Sequence, residues 1–267
     1  MIRLRSLLVV ALVFAIISLA SGAELRRVLL VGQSRDHPPG SHEYMAGLRV
    51  LAKCLRAVPG LEVTLTKADE PWPEGPAMID RADGVVLYLG QGARWIQKDP
   101  ARLAAFKRLA DRRGGIVALH WAIGTKDARF IEAHQKLIGG IHGGPDRKFI
   151  ITESRLEVVD ERHPITRGVE DLLLRDEFYY RLKFARDGTI QPLVRVSIEG
   201  RPETVAWAYL RPDGGRSFGF SAMHFHAHWG LVSCRRLITQ GVLWTLGVPI
   251  PEKGVAVEIT EPGLEIH

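Results

Sequence analysis

Arg27-Val28-Leu29-Leu30-Val31-Gly32 is a compact apolar run without alternation. A strand with no polar face is buried on both sides, which places it inside a parallel sheet covered by helices. The next segment, 42–57, sets Met45, Leu48, Leu51, Ala52 and Leu55 at helical spacing, with arginine and lysine between them. A second strand is expected at 61–65, a third at 84–90 followed by a loop carrying Trp95, and a fourth at 115–119. Asp99-Pro100 reads as an N-cap with proline in the first turn of a helix that stops at Gly114-Gly115. Strands and helices in this order predict an α/β fold with a mainly parallel sheet flanked by helices. From about 149 the rhythm becomes β-rich, with strands expected at 149–159, 176–184, 191–198, 204–210 and 216–223. Pro212-Asp213-Gly214-Gly215 is a hairpin turn between the last two. A final helix is expected over 231–246.

The first residues read as a leader. MIRLR is a short basic start, Leu7 to Ala20 is apolar apart from Ser18, and Ser21-Gly22-Ala23 offers small residues for cleavage after Ala23. The expectation is an exported protein, periplasmic or extracellular, touching a membrane only through this segment if it is uncleaved. Residues 24–267 then form a single domain. Without Arg3 and Arg5 the chain keeps 34 basic residues against 30 acidic ones, with no dense basic cluster, which argues against a nucleic-acid partner. No nucleotide cofactor is indicated. Cys54 and Cys234 lie among leucines and arginines in amphipathic helices and read as core residues rather than a bridge.

Histidines carry the chemistry. His37 and His42 follow the first strand, His120 ends the fourth, and His142 opens a Gly-Gly loop. Ligands of parallel α/β sheets bind beyond the carboxyl ends of the strands, so these positions are able to share one crevice. In Met223-His224-Phe225-His226-Ala227-His228-Trp229 strand alternation would point three imidazoles the same way, a spacing that suits a metal ion. Glu177, next to Phe178-Tyr179-Tyr180, is a candidate general acid/base or ligand. Arg147 and Lys148 in the loop after His142 are suited to hydroxyls or a carboxylate of a substrate. Trp121 and Trp229 offer a stacking floor for a sugar ring, with Tyr179 beside them. His163 reads as structural, and His134 and His267 receive no role.

Six segments together resemble the ThuA-like family, named for trehalose utilisation. They are DHPPGSHEY (36–44), GGIVALHWAIG (114–124), GGIHGGPDRK (139–148), HPITRGV (163–169), DEFYY (176–180) and FSAMHFHAHWG (220–230). The resemblance covers nearly the whole chain after the leader and is strongest to the secreted branch. It implies the class I glutamine-amidotransferase-like fold, in which a cysteine nucleophile sits at a strand-to-helix elbow. Here that elbow reads Val117-Ala118-Leu119-His120-Trp121, so hydrolysis of glutamine is not expected. It also implies a polar site at His120, His142, Glu177, His224 and His226, while His228 departs from the asparagine expected there. The catalytic candidates are Glu177, His120 and His224, and the metal candidates are His42, His142, His224 and His226, for zinc or another divalent transition metal. The implied substrate is a small sugar, oxidised to a 3-keto-glycoside and cleaved by elimination or hydrolysis. Two other readings are open: a non-catalytic carbohydrate-binding or accessory module, and a metal-dependent hydrolase of esters or amides.

Overall fold

The computed structural model describes residues 25–260 and 264–266. The expected leader, 1–23, lies outside them. The chain begins with β1 (Arg26–Gly32), α1 (Tyr44–Arg56), β2 (Leu61–Lys67), α2 (Gly75–Arg81), β3 (Gly84–Tyr88), α3 (Gly92–Lys98), α4 (Pro100–Asp111) and β4 (Gly115–Leu119). There follow β5 (Gly124–Thr125), α5 (Ile131–Ile138), β6 (Gly140–Gly143), β7 (Lys148–Val158), β8 (Leu172–Tyr180), β9 (Lys183–Phe184), β10 (Thr189–Ile198), β11 (Arg201–Leu210), β12 (Arg216–Phe220) and α6 (Val232–Thr245).

Nine strands form one sheet in the order β2-β1-β3-β4-β12-β11-β10-β7-β8. From β2 to β12 all neighbours are parallel, and from β12 to β8 all are antiparallel. The β-rich half is therefore a continuation of the parallel sheet. Burial on both faces explains β1, β3 and β4, while β2 is the edge strand and is not buried. Val28 and Leu30 of β1 pack into the core on the side of α1 and α6, while Leu29 and Val31 pack into the core on the side of α4. β4 divides likewise, Val117 and Leu119 against Ile116 and Ala118.

Three local expectations are corrected. The segment carrying Trp95 is not a loop but α3, which begins after Gln91 in the left-handed region (φ 47°). The strand expected at 176–184 starts earlier, at Leu172, and ends at Tyr180; Lys183–Phe184 pairs instead with β6 in a small second sheet. The last long strand stops at Phe220, so His224, His226 and His228 do not alternate along a strand. Met223 takes a left-handed backbone (φ 84°), and His226–Gly230 coils into a 3-10 turn. The cause is Asp176 on β8. Its fully buried carboxylate accepts from the backbone N–H of Met223 (2.6 Å) and His224 (3.1 Å), bending the chain away from the sheet.

Candidate functional site

Loops at the carboxyl ends of the parallel strands converge here. His42 comes from the loop after β1, His120 from the end of β4, and His224 from the bend after β12; Glu177 and Tyr179 come from β8. One ligand atom from each of His42, His120, Glu177 and His224 falls within 4.8 Å of all the others. His42 Nε2 lies 3.0 Å from His120 Nε2, and His224 Nδ1 lies 3.3 Å from that same atom. Glu177 stands slightly back, its oxygens 3.8 Å from His120 Nε2 and 3.9 Å from His224 Nδ1.

Hydrogen bonds behind the rings decide what these nitrogens offer. His120 Nδ1 lies 2.9 Å from the Ser221 carbonyl oxygen, which only accepts, so Nδ1 carries the proton. Burial, followed by the nearby His42, pushes the His120 pKa well below 6.5, so the ring is neutral and its Nε2 is a bare lone pair. His42 Nδ1 donates to Asp36 at 2.7 Å. Burial opposes ionisation of Asp36, but its hydrogen bonds from His42 and His37 prevail and hold the carboxyl at about 2. Burial, against the pull of Asp36, lowers the His42 pKa below 6.5, so the ring is neutral, its one proton is on Nδ1 and its Nε2 is bare as well. Two lone pairs facing each other at 3.0 Å repel; a shared cation, or a donor between them, removes the conflict. Oriented rings backed by a carboxylate and a carbonyl are what a metal site requires of its second layer. The Tyr179 hydroxyl, 3.1 Å from His120 Nε2, is the donor at hand. The four-residue cluster is able to hold a metal ion.

Strain marks the same place. His42 (φ 50°) and His120 (φ 49°) are held in the left-handed region, which costs a side-chain-bearing residue roughly 1–3 kcal/mol. Burial pushes His224 down to about 4 and raises Glu177, the latter partly offset by Tyr179 alongside. The Tyr179 ring is sandwiched between His142 (centroids 4.0 Å apart) and His120 (4.7 Å). Beside the cluster lies a pocket of about 230 Å³ walled by Trp121, His142, Phe149, Glu177 and Tyr179, with Lys126 and Arg147 also lining it.

Not every residue singled out in the sequence is found here. His142 lines the pocket but is not one of the four converging residues; burial lowers its pKa to about 3. His226 is placed elsewhere: its Nε2 donates to the Leu264 carbonyl at 2.7 Å, and the residue lines a separate cleft with Phe225. Trp229 is no stacking floor. It has no exposed surface and lies over Gly47, where a Cβ would sit 2.4 Å from the indole nitrogen. Lys148 is exposed on β7 and does not line the pocket, whereas Arg147 does. His228 Nδ1 lies 3.2 Å from Asp176. Four residues without a role assigned from the sequence also shape this region: Asp36, Asp176, Lys126 and Phe149. Asp36 precedes His37 directly, and a carboxylate beside a histidine pair was a usable signal. Nothing local marks Lys126 or Phe149.

Fold and cluster together define an α/β protein with a histidine–carboxylate pocket at the carboxyl ends of its parallel strands. The sequence matches the trehalose utilisation (ThuA) family over residues 27–245, and the chain belongs to that family. Among solved structures, a ThuA-like protein from Bacteroides uniformis is similar, with a TM-score of 0.65 at 13% identity over 84% of this chain and 92% of that one. The glutaminase domain of Trypanosoma brucei CTPS with bound acivicin gives 0.48 at 11% identity, covering 88% and 100%. A glutamine amidotransferase from Thermotoga maritima gives 0.39 at 12% identity, covering 83% and 96%. No curated protein matches the sequence.

Proposed function

We propose that this protein is a carbohydrate-catabolic enzyme that cleaves oxidised (3-keto) glycosides. In this reading His42, His120 and His224 hold a divalent transition metal, and Glu177 is the base. One observation carries it: two imidazole nitrogens stripped of protons by their partners and aimed at each other at 3.0 Å, with a third nitrogen and a carboxylate alongside. Imidazole and carboxylate donors suit zinc and its neighbours. The bound ion would supply a Lewis acid for the negative charge that develops on the ketone oxygen.

The chain's own groups do the rest. Glu177 is the carboxylate that both borders the pocket and adjoins the histidines. Its raised pKa makes it a stronger base than an exposed glutamate. A ketone at C3 acidifies the proton on C2; Glu177 removes it, the C–H electron pair forms the C1=C2 double bond as C1–O breaks with its own pair on the glycosidic oxygen, and Glu177 returns the proton to that oxygen. Trp121 and Phe149 would shield one side of the ring from water.

Incubating the purified protein with a 3-keto-glycoside, with and without chelator, tests this directly. Release of aglycone that stops on chelation and returns with added zinc or manganese is the expected result. No release under any metal condition overturns the proposal. Glu177→Gln should lower turnover by about 10²-fold or more; a protein that only binds sugar would lose little affinity from the same change.

A further inference from the structure

The pocket carries two cations that no carboxylate of the described chain engages in an ion pair. Lys126 follows β5 and Arg147 precedes β7, and both line the cavity beside Glu177. Each has an acid next to it in sequence, and each of those acids is turned to another partner. Asp127 is held by Arg129 (2.6 Å), and Asp146 by Lys183 (2.6 Å). Arg147 directs one N–H to the Gly144 carbonyl at 3.1 Å, which leaves most of its guanidinium fork available. Asp36, the other nearby acid, is engaged by His42 and His37. The charge of Arg147 reaches into the pocket: burial first, then Arg147 and Lys183, lower the pKa of His142.

Two unpaired cations against the single carboxylate of Glu177 leave the pocket net positive, which favours an anionic ligand, and the planar fork of arginine matches an oxyanion. The aromatic walls Trp121 and Phe149 offer faces suited to the apolar side of a sugar ring. We propose that the preferred substrate is an anionic sugar, whose carboxylate or phosphate is gripped by Lys126 and Arg147 while the ring faces Glu177. This rests on the pocket being the substrate site of the enzyme proposed above, and it narrows the substrate class.

Calorimetric titration of the purified protein at low salt tests it with two matched pairs: methyl β-glucuronide against methyl β-glucoside, and glucose 6-phosphate against glucose. At least one anion should bind about tenfold tighter than its neutral partner, and which pair shows the gain tells carboxylate from phosphate. The ratio should fall towards one in Lys126→Gln and Arg147→Gln and persist in Lys126→Arg and Arg147→Lys. Ratios near one for both pairs, a preference that survives both glutamine variants, or no binding of any of the four sugars overturns the proposal. Binding needs no turnover, so these outcomes leave the elimination reading to its own assay. Failure of aglycone release, conversely, leaves the charge preference intact.

Discussion

Asp176 has no exposed surface, and its two oxygens receive four hydrogen bonds: the N–H groups of Glu177, Met223 and His224, and His228 Nδ1. It ties β8, which carries Glu177, to the bend that carries His224. Removing it strands several buried donors, each costing about 1–3 kcal/mol. Asp176→Ala is expected to lower the melting temperature by several degrees and to loosen His224, so that any activity falls with it. Asp176→Asn should recover only part, because one of its two heads donates instead of accepting; melting curves of both variants check this. In the sequence Asp176 resembles a solvated residue at the start of a strand. Its burial depends on the bend at 223 lying across β8, a contact between positions 47 residues apart.

Among the elements, α5 offers a test of pH dependence away from the site. His134 is fully buried in this helix, and burial pushes its pKa down to about 3. An unfolded chain takes up that proton near 6.5, whereas the folded helix does not until about 3. Between those values the unfolded state binds more protons, so stability falls as the pH falls. His134→Leu should make the fall of melting temperature between pH 6.5 and 4 shallower; an unchanged slope would contradict this. The strands β1, β3 and β4 were legible because burial on both faces leaves an unmistakable apolar run, and the α4 cap was legible because Asp99 accepts from Ala101 and Arg102 as its position suggested. The segment 221–230 was not, since alternation of His224, His226 and His228 imitates a strand. What breaks it is Met223, whose left-handed backbone has no signature in a methionine.

On the scale of the whole molecule, the pocket exists only when both halves of the sheet are joined. His42 and His120 belong to the parallel half, Glu177 to the antiparallel half, and His224 to the bend after β12, the strand where the two meet. A cation bound there links segments more than 180 residues apart in sequence and stabilises only the folded chain. At a hundredfold excess over Kd the gain is about 2.7 kcal/mol, or roughly 5–10 °C in melting temperature. That shift should vanish in His224→Ala, as differential scanning calorimetry with and without zinc would reveal. Sequence spacing named most of the cluster because strand ends are where α/β sheets hold ligands. It could not rank His226 below His120, since that depends on which side of a turn each ring leaves. The ring sandwich of His120, Tyr179 and His142 has an optical consequence. A phenol stacked on an imidazole and hydrogen-bonded to it changes its near-ultraviolet absorption when that imidazole is taken by a cation. Tyr179 is thus expected to report a bound cation by difference spectroscopy without any label, and the signal should weaken in Tyr179→Phe.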